Sequence, residues 1–175
     1  MKLFFALAAL ATFFTAILTQ HIVAQDKTDQ SLQNVITAYL KVKNALVKDN
    51  GDSVRAVAKT LYNVIAGVPI DKLSTDHRKV WMQYSEKLAY DAEHIKQTDE
   101  LEHQREHFAK LSVNMYKLLK ALNINTADLY YHHCSMANDG KGAYWLSEES
   151  NINNPYMGKK MPHCGTANDT LKAIK

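Results

Sequence analysis

The stretch DELEHQREHFAKLSVNMYKLLKAL, residues 99–122, decides the fold class. Phe108, Leu111, Met115, Leu118 and Leu122 recur at intervals of three or four, so they share one face of a helix. Asp99, with Glu102 three residues on, has the form of a capping box and predicts the helix start. The same period continues towards the amino end. Val80, Trp81, Tyr84, Leu88, Ala92 and Ile95 form a stripe behind Ser74, a natural cap. Val54, Val57, Leu61, Val64 and Ile65 form another, with Asp52 expected as N-cap and Gly67 and Pro69 as the stop. From Asp29 to Asp49 the stripe is Leu32, Val35, Ile36, Tyr39, Leu40, Ala45 and Leu46, ended by Asn50-Gly51. Four helices, each with one apolar face and short connections, predict an all-α, up-down four-helix bundle over residues 25–123.

Outside the bundle the chain has two other textures. Lys2 precedes an uncharged apolar run from Leu3 to Leu18, then Thr19, Gln20 and His21, with Ala24 before Gln25. That order is the n-, h- and c-region pattern of a secretory signal peptide, so residues 1–24 are read as a signal and the mature chain as starting at Gln25. The run is short of the ~20 residues of a spanning helix. Export across the inner membrane to the periplasm, with no membrane association after signal removal, is the expectation. It matters chemically, because outside the cytosol thiols pair or bind metal.

Among the 175 residues, 46% are hydrophobic and Lys and Arg exceed Asp and Glu by only 21 to 18. This fits one core in one domain and lacks the basic stripe that nucleic-acid binding requires.

The third texture begins after Asn123. Residues 124–175 hold both Cys, four of the six Gly, two of the three Pro and three of the six Met, and no helical period. They are expected as an irregular appendage of the same domain, packed on the bundle. Leu129 to Met136 reads as extended, which turns Tyr130, His132, Cys134 and Met136 to one face and Tyr131 and His133 to the other. Met157 and Met161-Pro162-His163-Cys164-Gly165 form a second cluster, and Asn154-Pro155-Tyr156-Met157-Gly158 reads as a turn folding it back onto the first.

Thiolate with thioether is a soft donor set that suits Cu(I) and Ag(I). Cys134 and Cys164 with two of His132, His133 and His163 would instead suit zinc. A Cys134–Cys164 disulfide is the plain alternative, closing a loop of about 30 residues for roughly 3–4 kcal/mol. A disulfide, however, gives no reason for a Met beside each Cys.

The residues carry a family likeness. Tyr131-x-x-Cys134-x-Met136-Ala137, Lys141-Gly142-Ala143-x-Trp145-Leu146-Ser147 and Ile152-x-Asn154-Pro155-Tyr156-x-Gly158-x-x-Met161-x-x-Cys164-Gly165 form one long string. Gln104-Arg105-x-x-Phe108-x-x-Leu111-Ser112 forms a second block. Together they resemble the exported bacterial family called domain of unknown function 3347, also found fused to CusB-like heavy-metal efflux adaptor subunits. Ser135 departs from the proline usual after that Cys. The resemblance implies copper or silver handling, with an efflux adaptor or a metallochaperone as partner.

On the helices, Asp91-x-x-His94 and Glu100-x-x-His103 are expected to face each other across the third and fourth helices. A di-iron site would need a Glu from each of the first two helices, which carry none. His103 and His107, four apart, can chelate one ion, but read more simply as part of a solvated charged face. Trp145 and Tyr144 are read as plugs holding the appendage to the bundle, and Gln104 and Arg105 as hydrogen-bonding its backbone.

The function expected from all this is non-enzymatic: soft-metal binding in buffering, delivery or efflux. The proposed ligands are Cys134, Met136, Met161 and Cys164, with His133, His163 and His94 supplementary. The ion is copper(I) or silver(I), with zinc as the variant. The rival is a disulfide-stabilised structural or interaction module without metal, and cysteine-based oxidoreduction is a distant third.

Overall fold

The structure, a computed structural model, describes residues 30–174. The stretch read as a signal peptide lies outside the described residues. Four helices form as the stripes require: α1 (30–47), α2 (Gly51–Ala66), α3 (Thr75–Gln97) and α4 (Leu101–Leu122). A short 3-10 turn, Ile70–Lys72, joins α2 to α3. α3 packs between α2 and α4. The expected inward residues are buried, apart from Leu40, Val57, Val64, Val80 and Tyr84, which are half-buried against the same core. Among the described residues no helix is long and apolar enough to cross a membrane.

Helix starts follow the expected chemistry at one of three caps. Ser74 caps α3, its Oγ accepting the His77 N–H at 3.2 Å. For α2 the cap is Asn50, whose side chain accepts the Ser53 N–H at 2.9 Å, and not Asp52, which sits in the first turn. The helix begins early because Gly51 presses on the α3–α4 turn, where any Cβ would lie 1.8 Å from the Asp99 carbonyl oxygen. The capping box at α4 does not form. Glu100 is the N-cap without a side-chain bond, and Thr98 Oγ1 takes the Glu100 N–H at 3.0 Å instead.

The all-α expectation needs correcting in the appendage, which contains a small antiparallel sheet. β1 (Leu129–Cys134), β2 (Ala143–Ser147) and β3 (Thr166–Leu171) lie in the order β2-β1-β3. Cys134 pairs with Ala143 and His133 with Thr166, and a bulge between Tyr131 and His132 shifts the β1–β3 register. β3 left no signal because Thr-Ala-Asn-Asp-Thr-Leu is poor in strand formers and exposed over its first half, as an edge strand can be. The extended reading holds for β1 but ends at Cys134. Ser135 to Lys141 form turns, so Met136 leaves the strand and is 54% exposed.

Sheet and bundle share one core. Trp145 and Leu146 of β2 are fully buried, and Tyr39 of α1 joins three elements. Its hydroxyl lies 2.7 Å from Ser112 Oγ on α4 and accepts the Leu146 N–H at 3.0 Å, while its ring stacks on Phe108 at 5.3 Å. Lys43, also on α1, has a fully buried side chain aimed at the end of β2. It pairs with Glu148 at 2.9 Å and donates to Ser147 Oγ at 3.3 Å.

Candidate metal centre

The expected turn at residues 154–158 forms, and it delivers Cys164. Asn154 is fully buried; its Oδ1 accepts the N–H groups of Tyr156 (2.8 Å) and Met157 (3.0 Å). Its Nδ2 donates to the Cys164 carbonyl at 2.6 Å, and its own N–H bonds Pro162 O at 2.8 Å. One side chain thus closes the segment from 154 to 164 into a loop. Arg105 of α4 holds that loop to the bundle, donating to Pro155 O at 2.8 Å while its other arm reaches Leu46 O and the Asp49 carboxylate. Asp49 also accepts the Lys159 N–H at 2.8 Å. Burial opposes ionisation there, but the bonds from Lys159 and Arg105 win and hold the Asp49 carboxyl below its usual range. Of the two α4 residues expected to bind appendage backbone, Arg105 does. Gln104 instead bridges two bundle turns, donating to Gly51 O and Thr98 O.

The result is that the two cysteines are neighbours. Cys134 ends β1 and is 1% exposed, while Cys164 precedes β3 and is half-buried. Both are free thiols. The β1–β3 register, with His133 opposite Thr166, sets them side by side, and interaction with the Cys134 thiol, then burial, pushes the Cys164 pKa up. A soft cation binding here would displace protons and relieve that interaction.

The other expected ligands are more dispersed. Met136 lines a cleft of about 1090 Å³ between α4 and the β1–β2 turn, together with Met157, Glu106 and Tyr144. Met161 is half-buried, and its carbonyl accepts the Cys164 N–H at 3.2 Å. His133 packs on the Tyr144 ring at 4.2 Å and against Gly142, where a Cβ would lie 2.7 Å from its Nε2; positive φ at 142 also demands glycine. His163 is exposed, its Nδ1 2.9 Å from Ile152 O. His132 is fully buried with Nε2 3.2 Å from Glu149 O, and burial lowers its pKa, which marks it as a core residue. Trp145 lies between the rings of His132 and Tyr156, at 5.3 and 5.9 Å.

His94 joins a different group. In the last turns of α3 its ring stacks on His107 of α4, with centroids 4.4 Å apart and planes 6° apart, and lies 6.1 Å from His103. The possible ligand atoms of His94, His103 and His107 lie within 4.8 Å of one another. Among the described residues no other set of three His, Cys, Asp or Glu side chains is gathered this way. His107 is 6% exposed and donates from Nδ1 to the buried Asp91 carboxylate at 2.9 Å. Burial pushes the Asp91 carboxyl up, against the pull of that bond. The sequence placed the helix ends side by side. It did not turn His107 inward, although His103 and His107 fall on one helical row that runs on into Leu111 of the apolar stripe.

The model of a family described as protein of unknown function (DUF3347) matches residues 35–127, just over half of the chain. The chain belongs to the DUF3347 family. The matched segment spans most of α1 through α4, including the Gln104–Ser112 block, and ends before β1. The DUF3347 match therefore rests on the bundle, whereas the cysteine-bearing sheet and loop lie beyond it. No curated protein and no solved structure matches the chain.

Proposed function

We propose that this chain is an exported, non-enzymatic protein that binds a soft metal ion, copper(I) or silver(I), through its carboxy-terminal segment, for buffering, delivery or efflux. The observation that carries the proposal is the β1–β3 register, which sets His133 opposite Thr166 and so brings two free cysteines, thirty residues apart in sequence, together at the end of β1. Paired thiolates are a soft donor set that suits Cu(I). Met161, one turn before Cys164, and Met136, two residues after Cys134, are the nearest thioethers in sequence. Handover to a periplasmic adaptor or metallochaperone suits a half-buried Cys164 beside a buried Cys134. Zinc is the less favoured ion, because no histidine joins the cysteines in a set of three among the described residues.

The same proximity favours a second reading, a Cys134–Cys164 disulfide in a structural module without metal. Competition for Cu(I) against a chromophoric chelator, with reduced full-length protein, separates the two. Metal binding requires that Cys164→Ser lose uptake and that Met136→Ala and Met161→Ala weaken it. Retention of chelator-bound copper by the wild type, with an oxidised mass that shifts only under reductant, supports the disulfide.

A further inference from the structure

We propose that His94, His103 and His107 form a second metal site, independent of the sulfur pair, for a nitrogen-preferring divalent ion of the zinc class. Three neutral imidazoles with one position left for solvent or a further ligand are a donor set that Zn²⁺ accepts. Two come from one helix at positions four apart, and the third crosses from α3, so both helices would be tied by a bound ion. The ligand atoms already lie within 4.8 Å. A tetrahedral ion with bonds of ~2.0–2.1 Å needs nitrogens about 3.3 Å apart, a closure within reach of side-chain rotation.

The Asp91–His107 bond is the independent mark of a prepared ligand. A carboxylate that accepts from Nδ1 leaves the Nε2 lone pair facing outward and fixes the ring, the pattern found behind metal-bound histidines. Asp91 and His107 are buried, whereas His94 and His103 are half-buried and leave an approach from solvent. The Tyr90 ring covers one side, 4.4 Å from His94 and 6.0 Å from His107. A purely structural role fits the group poorly. Three imidazoles from two helices gathered with their nitrogens this close, one of them held by a buried carboxylate, make a ready chelating set.

The test is calorimetric titration of Zn²⁺ alone into full-length wild type, His94→Ala, His103→Ala, Asp91→Asn and Cys164→Ser, with circular dichroism confirming each helical content. One equivalent should bind wild type and Cys164→Ser alike. Loss of either half-buried histidine should weaken binding by more than about a hundredfold, given that outer-shell losses alone cost roughly 10–100-fold. Asp91→Asn should fall within that smaller range. A Co²⁺-loaded sample should show tetrahedral d–d absorption without thiolate charge transfer. No uptake by wild type, or unchanged titrations for His94→Ala and His103→Ala, would overturn the proposal. Loss of binding in Cys164→Ser alone would also overturn it, while leaving the sulfur-site reading standing.

Discussion

The bundle and the appendage are held in place by different forces. In the bundle, stripes such as Phe108, Leu111, Met115 and Leu118 bury apolar surface continuously, and a few buried polar contacts, Tyr39 with Ser112 and Asp91 with His107, add to that burial. The appendage offers fewer apolar anchors, chiefly Trp145, Leu146 and Tyr156, and its path is fixed by side chains that grip backbone. Asn125 donates to Ala127 O, Leu171 O and Lys172 O; Asn154 and Arg105 do the same for the loop before Cys164. Non-directional burial gives the platform, and directional bonds on top of it give the placement of the thiols. A few residues can therefore disturb the proposed site without unfolding its support.

The largest expected effect comes from the platform. Phe108→Ala removes a fully buried ring and should cost about 3–5 kcal/mol in urea denaturation, loosening bundle and sheet together because they share one core. Next is the Lys43–Glu148 pair that joins α1 to the end of β2. Glu148→Ala leaves a buried ammonium with Ser147 as its one remaining side-chain partner among the described residues. Breaking a fully buried pair costs several kcal/mol; discounted for the partial exposure of Glu148, the expected loss is about 1–3 kcal/mol. Lys43→Met, by contrast, should be nearly neutral. If both variants were equally destabilised, packing rather than charge would be what matters at this junction.

Asn154→Ala sharpens the comparison further. It removes the donor to the Cys164 carbonyl and both acceptor contacts, for an expected loss of about 1–3 kcal/mol. The diagnostic is local: amide exchange should accelerate around residues 154–164 and thiol alkylation at Cys164 should quicken, while α2 and α3 keep their protection. Uniform acceleration would contradict the division between the two regions.

The smallest effect concerns β3. Asp169 accepts from the Tyr116 hydroxyl and from Lys120 on α4, and those bonds lower its pKa from 3.8 to about 2. A folded-state pKa below the unfolded one means that this contribution is complete above about pH 4 and fades as pH falls towards 2. In Asp169→Asn the part of the stability–pH slope between those values should diminish, as read from denaturant midpoints. A slope unchanged by the substitution would remove Asp169 from the account.

The bundle was legible in the sequence because a 3.6-residue apolar period is visible locally. Val54, Leu61, Leu88 and Leu118 announce their burial from their own spacing. The sheet was only partly legible. β1 shows itself through its aromatics, but β3 forms because β1 offers an edge, and Asn168 and Asp169 carry no strand signal of their own. Caps failed where tertiary contact intervened, as at Gly51 against Asp99. For the site, the loop at Asn154 was readable from turn chemistry. The exit of Met136 from the strand was not, because it follows from where β1 loses its partners. The gathering of His94 with His107 needed the rotation of α4 about its axis. Spacing alone left His107 on a solvated face, and its burial against Asp91 follows from how α3 meets α4.

The central claim is that Cys134 and Cys164 together present a soft-metal site. X-ray absorption at the copper edge of the reduced full-length chain loaded with one equivalent of Cu(I) tests it most directly. The account predicts a first coordination shell of sulfur that disappears in Cys164→Ser. A shell of nitrogen and oxygen only, or a sulfur shell unaltered in that variant, would contradict it.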